Sequence, residues 1–184
     1  MLFRKDVSRG LKSIVDRWMV GFGLSVLLVL PACGFSKGCE HTNPILEKME
    51  PGLVTFSRED GSTFSLEVKI ADENDERAQG FQRICAEQIA AMPILFVFQF
   101  QVIPQFHMNN VVAPIDIAFI DRNGQIDTIT AMQPYVIGAL KKPKYAPKRR
   151  IMYALEVAPE FFATNNIDKK ATMSWRPLEQ ETDT

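Results

Sequence analysis

Three cysteines and two histidines are all that 184 residues contain of the two side chains most used as metal ligands and nucleophiles. An odd number of thiols cannot pair completely, and two imidazoles exclude any centre built on three of them. A basic excess is missing too: 21 Lys and Arg stand against 22 Asp and Glu, a formal charge of −1, so there is no electrostatic footprint for nucleic acid. Ten glycines and eleven prolines are too few for a collagenous or low-complexity chain. Also absent are a nucleophile elbow, a glycine-rich phosphate loop and an HExxH zinc motif. What remains, 46% apolar and 23% charged residues, is the balance of a folded domain without an announced chemistry.

The first forty residues carry an address. Arg4, Lys5, Arg9, Lys12 and Arg17 form a basic head with only Asp6 and Asp16 as acids, and the apolar run Trp18 to Leu30 follows. A positive head, a short apolar centre and a small residue before the cut make a bacterial secretory signal. Leu30-Pro31-Ala32-Cys33 resembles the lipobox of bacterial lipoproteins, whose cysteine receives diacylglycerol and becomes the first residue. Pro31 departs from that pattern, and Gly34 resembles the version sent to the outer membrane. Trp18 to Ser36, nineteen uncharged residues, also approaches the roughly 20 that span a bilayer, so an uncleaved anchor and simple cleavage stay open. All three place the remaining chain outside the cytoplasm, and the expected location is the outer membrane facing the periplasm. The boundaries expected are signal 1–32, tether 33–51, globular domain 52–176 and disordered tail 177–184. Without residues 1–32 the chain keeps 16 basic and 20 acidic residues, a net charge of −4. In an oxidising compartment Cys39 and Cys85 are candidates for a disulfide, against a buried Cys85 beside a free Cys39. Cys39-Glu40-His41 offers metal-ligand types, but with no third or fourth ligand nearby in sequence, no metal and no cofactor are expected.

Strand signals dominate from Leu53 onward. Asp60-Gly61 marks a hairpin turn, and Phe64, Leu66, Val68 and Ile70 alternate with polar residues behind it. Asp72 to Arg83 predicts a short helix whose first turn gathers carboxylates, where free backbone N–H groups favour negative charge; cation binding is the other use of that run. A loop is expected to reach Met92-Pro93. Phe96, Phe98 and Phe100 share one face of the next strand and read as core, or as a pocket wall. Phe106 to Met108 is a short extended piece. Strands at 115–121 and 125–132 flank Arg122-Asn123-Gly124, and strands at 151–157 and 170–175 flank a helix opened by Pro159. The expectation is one compact α+β domain, mostly antiparallel sheet and barrel-like, with two short helices.

Met108-Asn109-Asn110, followed by Pro114-Ile115-Asp116-Ile117-Ala118-Phe119-Ile120-Asp121, resembles the domain of unknown function 192. Glu76 to Arg83, Met92 with Leu95 to Phe98, and Tyr153 to Val157 resemble its other motifs in order, over about residues 52–175. The family usually carries tryptophan at His107, lysine at Asn109, threonine at Val111 and a Gly-Asp pair at Lys170-Ala171. The resemblance implies a compact, mostly antiparallel fold, often secreted, and supplies no activity.

Asp116 and Glu156 each interrupt an apolar strand. Asp116 faces solvent by alternation, or points inward to backbone amides or Arg83, since a buried acid needs a partner; alternatively, two such carboxylates act as acid and base, as in glycoside hydrolysis. His107 is a general base or an aromatic stand-in. Lys141, Lys142, Lys144, Lys148, Arg149 and Arg150, with Tyr145, form a proline-stiffened basic loop that suits phosphate or carboxylate groups of the envelope. The expected function is a non-catalytic binding module for an anionic envelope component or a protein partner, held to the membrane by lipid on Cys33. The alternative is a hydrolase or transferase of envelope glycans.

Overall fold

Asn43-Pro44 starts a capped helix. The Asn43 side chain accepts from the Leu46 N–H at 2.9 Å, and Pro44 supplies a first-turn φ for α1 (Pro44–Lys48). A computed structural model describes residues 38–135, 138 and 140–178. Leu46 and Met49, each 1% exposed, pack into the core, so the stretch expected as a tether is part of the domain from residue 39 onward. The signal, lipobox and Cys33 lie outside the described residues, as do 179–184. No helix among the described residues is long and apolar enough to cross a membrane.

The first two strands follow the alternation of their sequences. β1 (Pro51–Ser57) and β2 (Thr63–Ala71) form the first hairpin, closed where the Asp60 carboxylate accepts from the Ser62 N–H at 2.8 Å. Then come α2 (Asn74–Gln79), α3 (Ala86–Ala91), β3 (Ile94–Val102) and the two-residue β4 (Phe106–His107). β5 (Ile115–Ile120) and β6 (Ile126–Met132) make a second hairpin, and β7 (Lys144–Tyr145) pairs with β4. β8 (Ile151–Val157), α4 (Phe161–Thr164) and β9 (Thr172–Pro177) complete the chain.

Seven strands form one sheet in the order β6-β5-β8-β3-β2-β1-β9. Every pairing in it is antiparallel except β2 with β3, which run parallel from Lys69↔Ile94 to Ala71↔Phe96, joined through α2 and α3. The fold is thus mostly β and mixed, with four short helices among the described residues where two were expected; α3 occupies the span read as a loop. The sheet is curled but not closed. Its edges meet at one bridge, Gln125↔Thr172, beside which the Met173 N–H donates to the Gly124 carbonyl at 2.8 Å. Gly124, at φ +81°, is tightly placed: a Cβ there would lie 2.0 Å from the Met173 carbonyl oxygen. Gly124→Ala is therefore expected to destabilise by about 2 kcal/mol or more, read from the urea midpoint, because it adds a strained φ to a backbone clash at the seam.

Both faces of the sheet are covered. Val54, Phe56, Leu95, Ala118, Leu155 and Met173 point to the concave side, over which Phe162 of α4 packs. Ile94, Phe96, Ile117, Phe119 and Ala154 point the other way, beneath Leu46, Phe81, Ile84, Ile89 and Met108. This second face, roofed by short helices and β4, holds the cavity described next.

Candidate functional site

Glu156 is set by strand register. It pairs with Ile94 on one side and Ile117 on the other, so its side chain shares their face, under α2. The residue is 5% exposed, and among the described residues no hydrogen bond or neighbouring charge acts on its carboxyl, which burial alone perturbs. It lines a cavity of about 500 Å³, together with Phe96, Phe98, Phe106, Gln79, Gln82, Gln105, His107 and Arg77. That volume suits a small ligand. Burial alone pushes the Glu156 carboxyl up to about 8, so at neutral pH it is chiefly a neutral acid that can donate one hydrogen bond.

Gly80 opens the way to it. α2 stops there because residue 80 takes φ +43° and ψ −135°, a conformation that suits only glycine. A Cβ at this position would sit 3.6 Å from the Glu156 Oε2 and 3.4 Å from the Phe96 ring. The missing side chain leaves the carboxyl uncovered on the α2 side.

α2 also aims Arg77. Its start is fixed by Glu76, whose buried carboxylate accepts from the Asp72 and Glu73 N–H groups at 3.1 and 3.0 Å. Glu73 and Asp75 face Lys48 at 2.8 and 3.2 Å, so the acidic run is a helix start closed by a lysine. One turn on, Arg77 donates through Nη1 to the carbonyls of Asp72 and Val97 and through Nη2 to the Asn74 Oδ1, and its guanidinium lies 5.7 Å over the Phe98 ring. Of its five N–H groups, the Nε–H and one on Nη2 have no partner among the described residues. Phe96 and Phe106 meet edge to face at 5.0 Å, and Phe106 stacks likewise on Phe119 at 5.6 Å. The phenylalanine strand therefore serves core and cavity together; only Phe100, 77% exposed, serves neither.

The structure separates residues that the sequence suggested grouping. Asp116 pairs with Val157, one step from Glu156, and so points to the opposite face. Two carboxylates on opposite faces of one sheet cannot act as acid and base on one bond, which removes the paired mechanism. Asp116 accepts from the Glu160 backbone N–H at the start of α4, not from Arg83; burial and the Glu160 carboxylate raise its pKa and that N–H opposes them. His107 does line the Glu156 cavity, as an exposed member of the β4–β7 pair opposite Lys144.

The basic loop does not form one surface. Arg149 Nε donates to the Asp127 Oδ1 at 2.8 Å, and Arg150 Nη1 donates to the Gln101 carbonyl at 3.0 Å, both beside Asp121 in a separate cleft. Lys142 lies 5.7 Å over the Tyr135 ring, and the Tyr145 hydroxyl accepts from the Gln133 N–H at 3.3 Å. Lys141 and Lys148 are exposed, and only Lys144, bonded to the Gln105 Oε1 at 3.0 Å, reaches the rim of the Glu156 cavity. The loop's main bond is structural: buried Asp127 accepts from the Lys148 N–H at 2.8 Å and the Thr128 hydroxyl at 3.0 Å as well as from Arg149. Burial raises the Asp127 pKa, but these three donors outweigh it and hold the carboxyl below the usual range. Asp127→Ala is expected to cost about 1–3 kcal/mol in urea unfolding at pH 7, since it leaves the Lys148 N–H unpaired. With a lowered folded pKa, this contribution is present above the ordinary carboxylate pKa and vanishes as the pH falls through the folded value.

A second cluster lies beyond this cavity. Cys39 and Cys85 form a disulfide, and His41, Cys85 and Glu87 offer ligand atoms that all lie within 4.8 Å of one another. Sequence reading lacked the third and fourth ligand types beside Cys39 and His41 because Cys85 and Glu87 lie more than forty residues on. Arg77 and Gly80 were missed as site residues, although both fall in the segment Glu76 to Arg83 that carried a family resemblance.

Two solved structures share the fold. A Sinorhizobium meliloti 1021 protein, whose description proposes a transcription regulator, superposes with a TM-score of 0.56 at 22% identity, covering 69% of this chain and 95% of its own. A protein of unknown function from Novosphingobium aromaticivorans DSM 12444 gives 0.55 at 18% identity, covering 67% and 84%. No curated protein matches this chain in sequence. The family described as DUF192, uncharacterized ACR, matches residues 55–175, which include every wall of the Glu156 cavity, and the chain belongs to that family.

Proposed function

We propose that this chain is an exported lipoprotein, anchored through Cys33, whose domain binds a small anionic, hydroxyl-bearing ligand in the Glu156 cavity without converting it. The carrying observation is the Glu156 carboxyl: buried, without a bond among the described residues, and lining a phenylalanine-walled cavity beside an arginine with unused donors. A neutral carboxyl donates to a ligand hydroxyl, the Phe96, Phe98 and Phe106 rings pack on the apolar side of a sugar ring, and Arg77 takes the ligand's carboxylate. Acidic sugars of the cell envelope have this combination. The signal sequence supports the location, and Lys144 at the rim adds positive charge.

The elevated Glu156 pKa also favours one second reading, a glycan hydrolase or transferase with Glu156 as general acid and His107 nearby. One substitution separates the two. Glu156→Gln keeps a neutral donor and is expected to retain binding within about tenfold, whereas a general acid so replaced loses turnover altogether. Arg77→Gln is expected to weaken acidic sugars and leave neutral ones unchanged. Turnover of a glycan by the parent chain, lost in Glu156→Gln, would replace the binding proposal with the enzyme.

A further inference from the structure

The Cys39–Cys85 region carries chemistry that the Glu156 cavity does not use. Two Cys-x-ligand pairs, Cys39-Glu40-His41 and Cys85-Ala86-Glu87, meet here although far apart in sequence. What aligns them is backbone. Glu40 bridges Ile84 in parallel, its N–H donating to the Arg83 carbonyl at 2.6 Å and its carbonyl accepting from the Cys85 N–H at 2.9 Å. Behind the bridge, Leu46 and Met49 pin the same segment into the core. Neither contact needs the sulfur–sulfur bond, so the four side chains stay together when it opens.

We propose that the reduced form of this chain binds zinc through the Cys39 and Cys85 thiolates, a His41 nitrogen and a Glu87 carboxylate oxygen. A dithiol donor delivers two electrons and two protons to the disulfide, becomes a disulfide itself and leaves two thiols. The entering Zn²⁺ displaces the two thiol protons and takes four ligands. Two sulfurs, one imidazole and one carboxylate suit tetrahedral zinc, with bonds of about 2.0–2.3 Å. His41 Nδ1 and Glu87 Oε1 already stand 3.8 Å apart, close enough for a small rotation to bring both onto one ion. Both side chains are largely exposed, at 70% and 64%, and can rotate onto the metal. Disulfide and zinc site are then alternative states of the same residues, selected by redox conditions.

The test uses the full chain carrying Cys33→Ser, so that only two thiols are present, reduced with a phosphine that does not compete for metal. Cobalt is titrated first and zinc second. The expected result is one cobalt per chain, a thiolate-to-cobalt charge-transfer absorption and its removal by zinc. The disulfide form gives no such band. Second-shell partners alone are worth about 10–100-fold in metal affinity, so His41→Ala and Glu87→Gln should each weaken binding by about tenfold or more. Neither exposed substitution threatens the fold. Absence of the charge-transfer band from the reduced chain overturns the proposal, and so does binding that neither substitution weakens.

Discussion

Glu156→Gln is expected to stabilise the domain at alkaline pH and to flatten its pH dependence. The ordinary carboxyl value of 4.5 rises to about 8 in the folded chain. Between these values the folded state holds a proton that the unfolded state has released. Glu156 therefore costs nothing below the unfolded pKa, and stability falls as the pH climbs toward the folded one. At ~1.4 kcal/mol per unit the full shift sets an upper bound near 5 kcal/mol, and water reaching the carboxyl through the cavity reduces this to about 2–4 kcal/mol. Glutamine has no proton to lose. Urea unfolding from pH 5 to 9 should show the two proteins diverging as pH rises, with the variant the more stable at pH 9. Parallel curves would mean that Glu156 is solvated, and the cavity would lose its defining group.

Opening the Cys39–Cys85 disulfide, in metal-free buffer, should lower stability without unfolding the domain. The cysteines are 46 residues apart, and releasing a loop of that size costs about 4 kcal/mol in the chain-entropy account. For a domain of this size that corresponds to a fall in melting temperature of about 10 °C. Against it stand Leu46 and Met49, buried from the same segment and worth about 1.5–3 kcal/mol each. Circular dichroism of the reduced chain should retain the folded spectrum at 25 °C with the lower midpoint. Leu46→Ala combined with reduction should release residues 39–49 to proteolysis. An unchanged midpoint would show that the disulfide closes no loop the core had not already fixed.

Thr63 to Ile70 was legible because its residues alternate and so state their own faces. What alternation cannot state is which face of one strand lies against which of the next. Asp116 and Glu156 look alike in sequence, each an acid in an apolar strand, and only the register Ile117↔Glu156 sends them to opposite sides. The parallel β2–β3 pair escaped because α2 and α3 are too short to display a helical period; α3 buries only Ile89. Phe96 and Phe106 carried no mark distinguishing cavity wall from core, since they serve both. The basic loop was incompletely legible for a different reason. Charge density is visible in sequence, but the buried acid that fixes Arg149 lies more than twenty residues earlier.

The most direct measurement is thermal unfolding of the parent chain, Glu156→Gln and Arg77→Gln with glucuronic acid, N-acetylmuramic acid and their neutral counterparts glucose and N-acetylglucosamine. Ligand at 100 times its dissociation constant adds ~2.7 kcal/mol, a shift of several degrees for this domain. The account predicts stabilisation of the parent and of Glu156→Gln by an acidic sugar but not by its neutral counterpart, and loss of that preference in Arg77→Gln. Equal shifts from neutral and acidic sugars, or no shift from any of the four, would contradict it.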